Sequence, residues 1–283
     1  MPKRRYYSER RHPEAAPIKM PSLKKLVLAI FKDFERNGYF QEMFGLVCVD
    51  AGPVSGKAGP DMDAFCLKRV RKTGLWPIED NLDSYSEEDL FDVIELLHDC
   101  ISKPIKGFYH SYAECGWHYE TFESEPGKAE FREQINEVLE DYGERFELSS
   151  DGEIIVLGER GLENLLKAEL PKPNIDAQNV EGKVESAIRK FRRFNSSIDD
   201  RRDAVRSLAD VLEFLRPKME KVLTSKDEGD LFNLANNFSI RHHNDKQKSR
   251  YEAQIWLSWM FYFYLATIHA SIRRLRLTSS SPP

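Results

Sequence analysis

Residues Ile255–Ile272 read IWLSWMFYFYLATIHASI, eighteen largely apolar positions followed by Arg273, Arg274 and Arg276. Such a run must leave water, and two environments accept it: a bilayer or the middle of a helical bundle. Ser258, Thr267, His269 and Ser271 interrupt the run, and it would be the chain's only span. The expectation is a buried central helix over residues 249–275 and no membrane partner.

The preceding residues supply neighbours for that helix. Residues 179–194 pattern as one helix. Ser197-Ile-Asp-Asp200 caps a second, with Ala204, Leu208, Val211, Leu212, Leu215, Met219 and Val222 at three/four spacing. Residues 227–240 read as a third. Together with 249–275 they predict an antiparallel four-helix bundle over 178–277. Leu170-Pro-Lys-Pro-Asn174 marks the boundary before it, because neither proline can extend a helix.

Residues 1–170 read as an α+β domain, so the fold class is mostly α with a small β-hairpin. A basic, proline-spaced arm (1–22) precedes an amphipathic helix over 23–43 with Leu23, Leu26, Leu28, Ile30, Phe31 and Phe34. Residues 51–63 are a Gly/Pro loop. Helices follow at 86–102, capped by Ser86, and at 128–142. Two β-prone runs over 145–157 flank Ser150-Asp151-Gly152, where Gly152 supplies the positive φ of a tight turn. A short helix over 161–169 closes the domain.

Length and charge support this division. A chain of 283 residues accommodates two ordinary domains. Residues 171–283 carry 20 Lys and Arg against 14 Asp and Glu, whereas residues 1–170 carry 22 against 33. A basic half points toward nucleic acid and an acidic half toward a different partner; charge clustering on solvated helix faces is the alternative. Cys48, Cys66, Cys100 and Cys115 follow no apolar signal segment, so reduced thiols and a cytoplasmic location are expected.

Several constellations invite chemistry. Gly52-Pro-Val-Ser-Gly-Lys57 fails as a phosphate loop: its glycine spacing is short and Ala58 stands where a magnesium-binding hydroxyl is needed. His98, Cys100, Cys115 and His118 hold metal-ligand chemistry, but His98 and Cys100 point to different faces of one helix. Cys115-Gly-Trp-His118 alone is a weak pair. No metal and no cofactor is expected. His269 reads as a core histidine, or as one that faces the next cluster.

That cluster is Leu234-Ala-Asn-Asn-Phe-Ser-Ile-Arg-His-His-Asn-Asp245. Metal-independent RNA cleavage needs a base for the ribose 2′-OH, an acid for the leaving 5′-oxygen and a cation on the phosphate. His242 and His243 can serve as base and acid near neutral pH, and Arg241 can grip phosphate. Asn237 and Asn244 can orient them. Alternatively, Arg241 pairs with Glu213 or Asp210 to lock the bundle, and the histidines cap a helix end.

The stretch from Asn195 to Arg274 resembles the HEPN superfamily, small four-helix domains of many prokaryotic toxins and phage-defence proteins. Three segments carry the likeness: SSIDDRRDAVRSLADVLEFLRP, LFNLANNFSIRHHND and YEAQIWLSWMFYFYLATIHASIRRL. HEPN ribonucleases use an Arg with a polar follower and a His four to six residues after the Arg, usually paired across a homodimer. Arg241 matches the Arg and His242 the follower. Positions 245–247 are Asp-Lys-Gln, and the nearest second histidine is His243. The resemblance implies an abortive-infection or toxin protein that cleaves RNA and dimerises through its C-terminal domain. The N-terminal domain would sense or regulate, and an antitoxin or a phage-derived trigger is an expected partner of the protein. A non-catalytic dimerisation or binding module is the alternative.

Overall fold

A computed structural model describes Tyr6, Tyr7, Arg11 and residues 17–143, 145–159, 161–171, 176–220 and 250–279. The chain divides into two units, Met1–Leu157 and Gly158–Pro283. The described residues are mostly helical, with three two-stranded antiparallel sheets.

In the first unit, helix α1 (Met20–Arg36) buries Leu23, Val27, Phe31 and Phe34. Helix α1 ends earlier than the pattern suggested, because Gly38 takes φ +80° beneath the Tyr119 ring. Strands β1 (Leu46–Cys48) and β2 (Gly52–Val54) pair next, so the expected loop at 51–63 contributes a strand. Helix α2 (Met62–Val70) and helix α3 (Glu87–Cys100) follow. Helix α3 starts at a capping box in which Ser86 and Asp89 satisfy each other's backbone N–H.

A hairpin of β3 (Lys103–His110) and β4 (Gly116–Glu123) then leads into helix α4 (Ser124–Leu139). The sequence did not announce this hairpin. Neither strand contains a fully buried residue, so the alternating pattern that reveals a strand is missing. Phe131, Ile135 and Leu139 of α4 complete the core with Leu90, Ile94 and Leu97 of α3. Strands β5 (Phe146–Leu148) and β6 (Ile154–Val156) form the hairpin expected over 145–157.

The second unit contains helix α5 (Gly182–Arg192), helix α6 (Ile198–Met219) and helix α7 (Arg250–Ser279). Ser197 and Asp200 make the anticipated cap of α6. Helix α7 buries Leu257, Met260, Phe261, Tyr264, Leu265, Ile268 and Ile272. Phe261 stacks on Phe191 of α5 at 3.9 Å between centroids, and the Arg201 guanidinium lies 5.3 Å from the Phe191 centroid. Residues 254–277 are long and apolar enough to cross a membrane by length and composition, and 61% of the most apolar 18-residue window within them is buried in the protein. The third expected helix, 227–240, lies outside the described residues.

The division falls earlier than the proline-marked boundary at 170–174. Leu166 and Leu170 belong to the second unit's core. The Glu159 backbone N–H donates to the Tyr262 hydroxyl at 3.0 Å, and Gly158 packs against Leu166 and Tyr262.

The β5–β6 turn packs directly on the buried His98. Gly152 has φ +85°, and an added Cβ would meet His98 Nδ1 at 2.5 Å. Gly152→Ala is expected to destabilise the protein by about 3 kcal/mol, combining left-handed strain with overpacking; urea unfolding checks this. His98 itself is buried, and its Nε2 accepts from the Arg132 guanidinium at 3.3 Å. Burial, then the Lys128 and Arg132 cations, push its pKa from 6.5 to about 4. Between those values the unfolded chain binds a proton that the folded chain refuses, so stability falls as pH falls through that window. His98→Gln is expected to flatten the slope of unfolding free energy between pH 6.5 and 4.

Candidate functional site

The β3–β4 register places His110 opposite Gly116 and Phe108 opposite His118. Residues two apart on a strand share a face, so His110 and His118 lie on one side of the ribbon. Their rings meet edge to face with centroids 5.4 Å apart. After His110 the chain reverses through Tyr112–Glu114, with Ala113 and Glu114 both left-handed at φ 47° and 55°. Gly116 follows at φ 97°. Each left-handed non-glycine residue costs on the order of 1–2 kcal/mol. The turn carries Cys115 back toward His118, with Cys115 Sγ 3.2 Å from His118 Nε2.

Cys48 arrives from the other hairpin, buried at the end of β1. Its Sγ lies 3.8 Å from His110 Nδ1. The second ring nitrogen of His110, Nε2, faces the Asp50 carboxylate at 3.2 Å. Backbone N–H groups of Ala51 and Asp50 point at the Cys48 sulfur and hold its thiol below the ordinary cysteine value. Donor atoms of Cys48, His110, Cys115 and His118 all lie within 4.8 Å of one another. Two sulfurs and two imidazole nitrogens in so small a volume can hold a metal ion, join as a disulfide, or act as a thiol–imidazole pair.

By spacing alone, Cys115 pairs with His118, and His98 and Cys100 are the companions the sequence suggests. Those two residues are buried on α3 instead, with His98 against Arg132 and Gly152. The companions that the fold supplies are His110 and Cys48, which stand 62 positions apart. No spacing rule reaches across that distance. The signal in the sequence was His110-x4-Cys115-x2-His118, legible only once a hairpin was expected there.

Other features carry less chemistry. Lys57 pairs with Glu42 at 2.5 Å, so the loop lysine serves a local ion pair. A hollow of about 680 Å³ is lined by Asp33, Glu130, Glu133 and Glu137 with Tyr39 and Tyr119. Its negative lining repels phosphate, which makes it unsuitable for RNA. His269 is buried, and burial followed by Arg273 lowers its pKa. Glu213, one alternative partner for Arg241, lies 3.6 Å from Arg216 on α6. Asn237, Arg241, His242, His243 and Asn244 lie outside the described residues. No protein-family model, no curated protein and no solved structure matches this chain.

Proposed function

We propose that this chain is a phage-defence or toxin-type protein whose second unit is a HEPN-like four-helix domain that cleaves RNA without a metal. The observation that carries the reading is the run Arg241-His242-His243, flanked by Asn237 and Asn244 and placed in the chain between α6 and α7. A base removes the 2′-OH proton, the 2′-oxygen attacks the adjacent phosphorus, and the 5′-oxygen leaves with a proton from the acid. The products are a 2′,3′-cyclic phosphate and a 5′-hydroxyl. His242 and His243 share the proton transfers, Arg241 holds the phosphate, and the asparagines position them.

The positive surplus of residues 171–283 supports an RNA partner. A homodimer through the second unit completes the site. The acidic first unit takes a different partner, an antitoxin or a phage-derived trigger, in the cytoplasm. A second reading has its own observation: residues 245–247 are Asp-Lys-Gln, without the histidine spacing of the nucleases that the segment resembles. On that reading the domain dimerises and binds without cutting.

The test is incubation with transfer RNA and total RNA, with EDTA and, in parallel, in magnesium-free buffer with added zinc ion. Cleavage in both conditions leaving cyclic-phosphate ends is expected. Arg241→Ala/His243→Ala should slow it by at least ~100-fold, the scale of a lost acid–base and phosphate-binding pair. RNA retained on the protein with no cleavage by wild type or variant selects the binding module.

A further inference from the structure

We propose that Cys48, His110, Cys115 and His118 bind one zinc ion in a closed tetrahedral site that clamps the β3–β4 hairpin to the β1–β2 hairpin. The inference is independent of the RNA reading, since all four donors belong to the first unit.

Distance is the first argument. With Zn–S near 2.3 Å and Zn–N near 2.0–2.1 Å, the edges of a tetrahedron run from about 3.3 Å between nitrogens to about 3.8 Å between sulfurs. The observed sulfur–nitrogen distances are 3.2 Å for Cys115–His118 and 3.8 Å for Cys48–His110, and the whole set stays within 4.8 Å. Small rotations of the side chains bring the four donors to those edges. Two thiolates and two imidazoles in this geometry are a zinc donor set, and four protein ligands leave no open position for substrate.

The surroundings of His110 are the second argument. Its Nδ1 faces the cluster while its Nε2 faces Asp50. A ligating histidine ordinarily gives its other N–H to a carboxylate, a backbone carbonyl or water, and such a partner fixes the tautomer and aims the lone pair at the metal. A Cys48–Cys115 disulfide would leave that alignment and His118 without a purpose, and both cysteines are free thiols.

Mechanical need is the third argument. A two-stranded hairpin is marginal in water, and β3–β4 has no fully buried residue. Around the cluster, Val47, Phe108, Tyr109, Tyr112 and Trp117 are each at least half exposed. The base of the hairpin is anchored by the Lys103–Glu130 ion pair at 2.6 Å, and its middle by Gln41, which bonds the Trp117 carbonyl and the Tyr119 N–H. Its tip, with two left-handed residues, has the cluster to hold it. Metal–ligand bonds supply there the stability that apolar burial supplies elsewhere.

Full-length protein produced in zinc-supplemented medium and desalted should contain roughly one zinc per chain by plasma mass spectrometry. Replacement by cobalt(II) should give the visible absorption of a tetrahedral ion with thiolate-to-cobalt charge transfer. Cys115→Ser should lose the metal, whereas Cys66→Ala should keep it. Asp50→Asn should weaken zinc against a competing chelator by about 10–100-fold. His118→Cys keeps four ligands and should raise the charge-transfer intensity by about half, a readout independent of whether the serine variant folds. The proposal is overturned if wild type holds neither zinc nor cobalt. It is equally overturned if Cys115→Ser retains the full thiolate band. Titration of only two of the four thiols in denaturant would assign the pair to a disulfide and overturn it too.

Discussion

Burial of α7 is the constraint on which the second unit depends. A helix with Leu257, Phe261, Tyr264, Leu265 and Ile268 almost wholly out of water needs helical neighbours on more than one side. Helices α5 and α6 provide them, and the Phe191–Phe261 stack is the tightest aromatic contact described. Each such large side chain contributes roughly 1.5–3 kcal/mol relative to exposure. This is why an apolar stretch long enough for a membrane can instead organise a helical core, and why Leu166 and Leu170 join it across the proline-marked segment.

The first unit uses a different strategy in part. Its helices α1, α3 and α4 share an ordinary core, with Phe34 and Phe131 edge to face at 5.5 Å. Hairpin β5–β6 joins that core through Phe146, Leu148 and Ile154, whereas β1–β2 and β3–β4 bury little beyond Cys48. The exposed aromatics and left-handed turn residues of these two hairpins lack the apolar burial that holds the helices, and the four-donor cluster is where the two hairpins converge. One unit would then be stabilised by apolar packing, and the other by packing plus a metal clamp.

What was legible in the sequence follows from the same physics. Capping boxes at Ser86 and Ser197, the turn glycine at Gly152 and the apolar faces of α1, α6 and α7 obey local rules and were readable. The β3–β4 hairpin was not, because a strand exposed on both faces leaves no alternation. The grouping of Cys48 with His110 was not, because pairing between hairpins is a tertiary fact. The division after Leu157 rests on tertiary contacts such as the Glu159–Tyr262 bond, which leave no local mark in the sequence, whereas Pro171 and Pro173 do. The Arg241 cluster rests on residue chemistry and resemblance, and it lies outside the described residues.

Hairpins β1–β2 and β3–β4 held by a metal, beside α6 and α7 held by their own core, should respond differently to loss of the ion. Amide hydrogen exchange on the full chain, with zinc present and after its removal by a chelator, tests it most directly. Exchange should accelerate in residues 46–54 and 103–123 on removal, while the central amides of α6 and α7 stay protected. Unchanged exchange in both hairpins, or an equal loss of protection in α6 and α7, would contradict it.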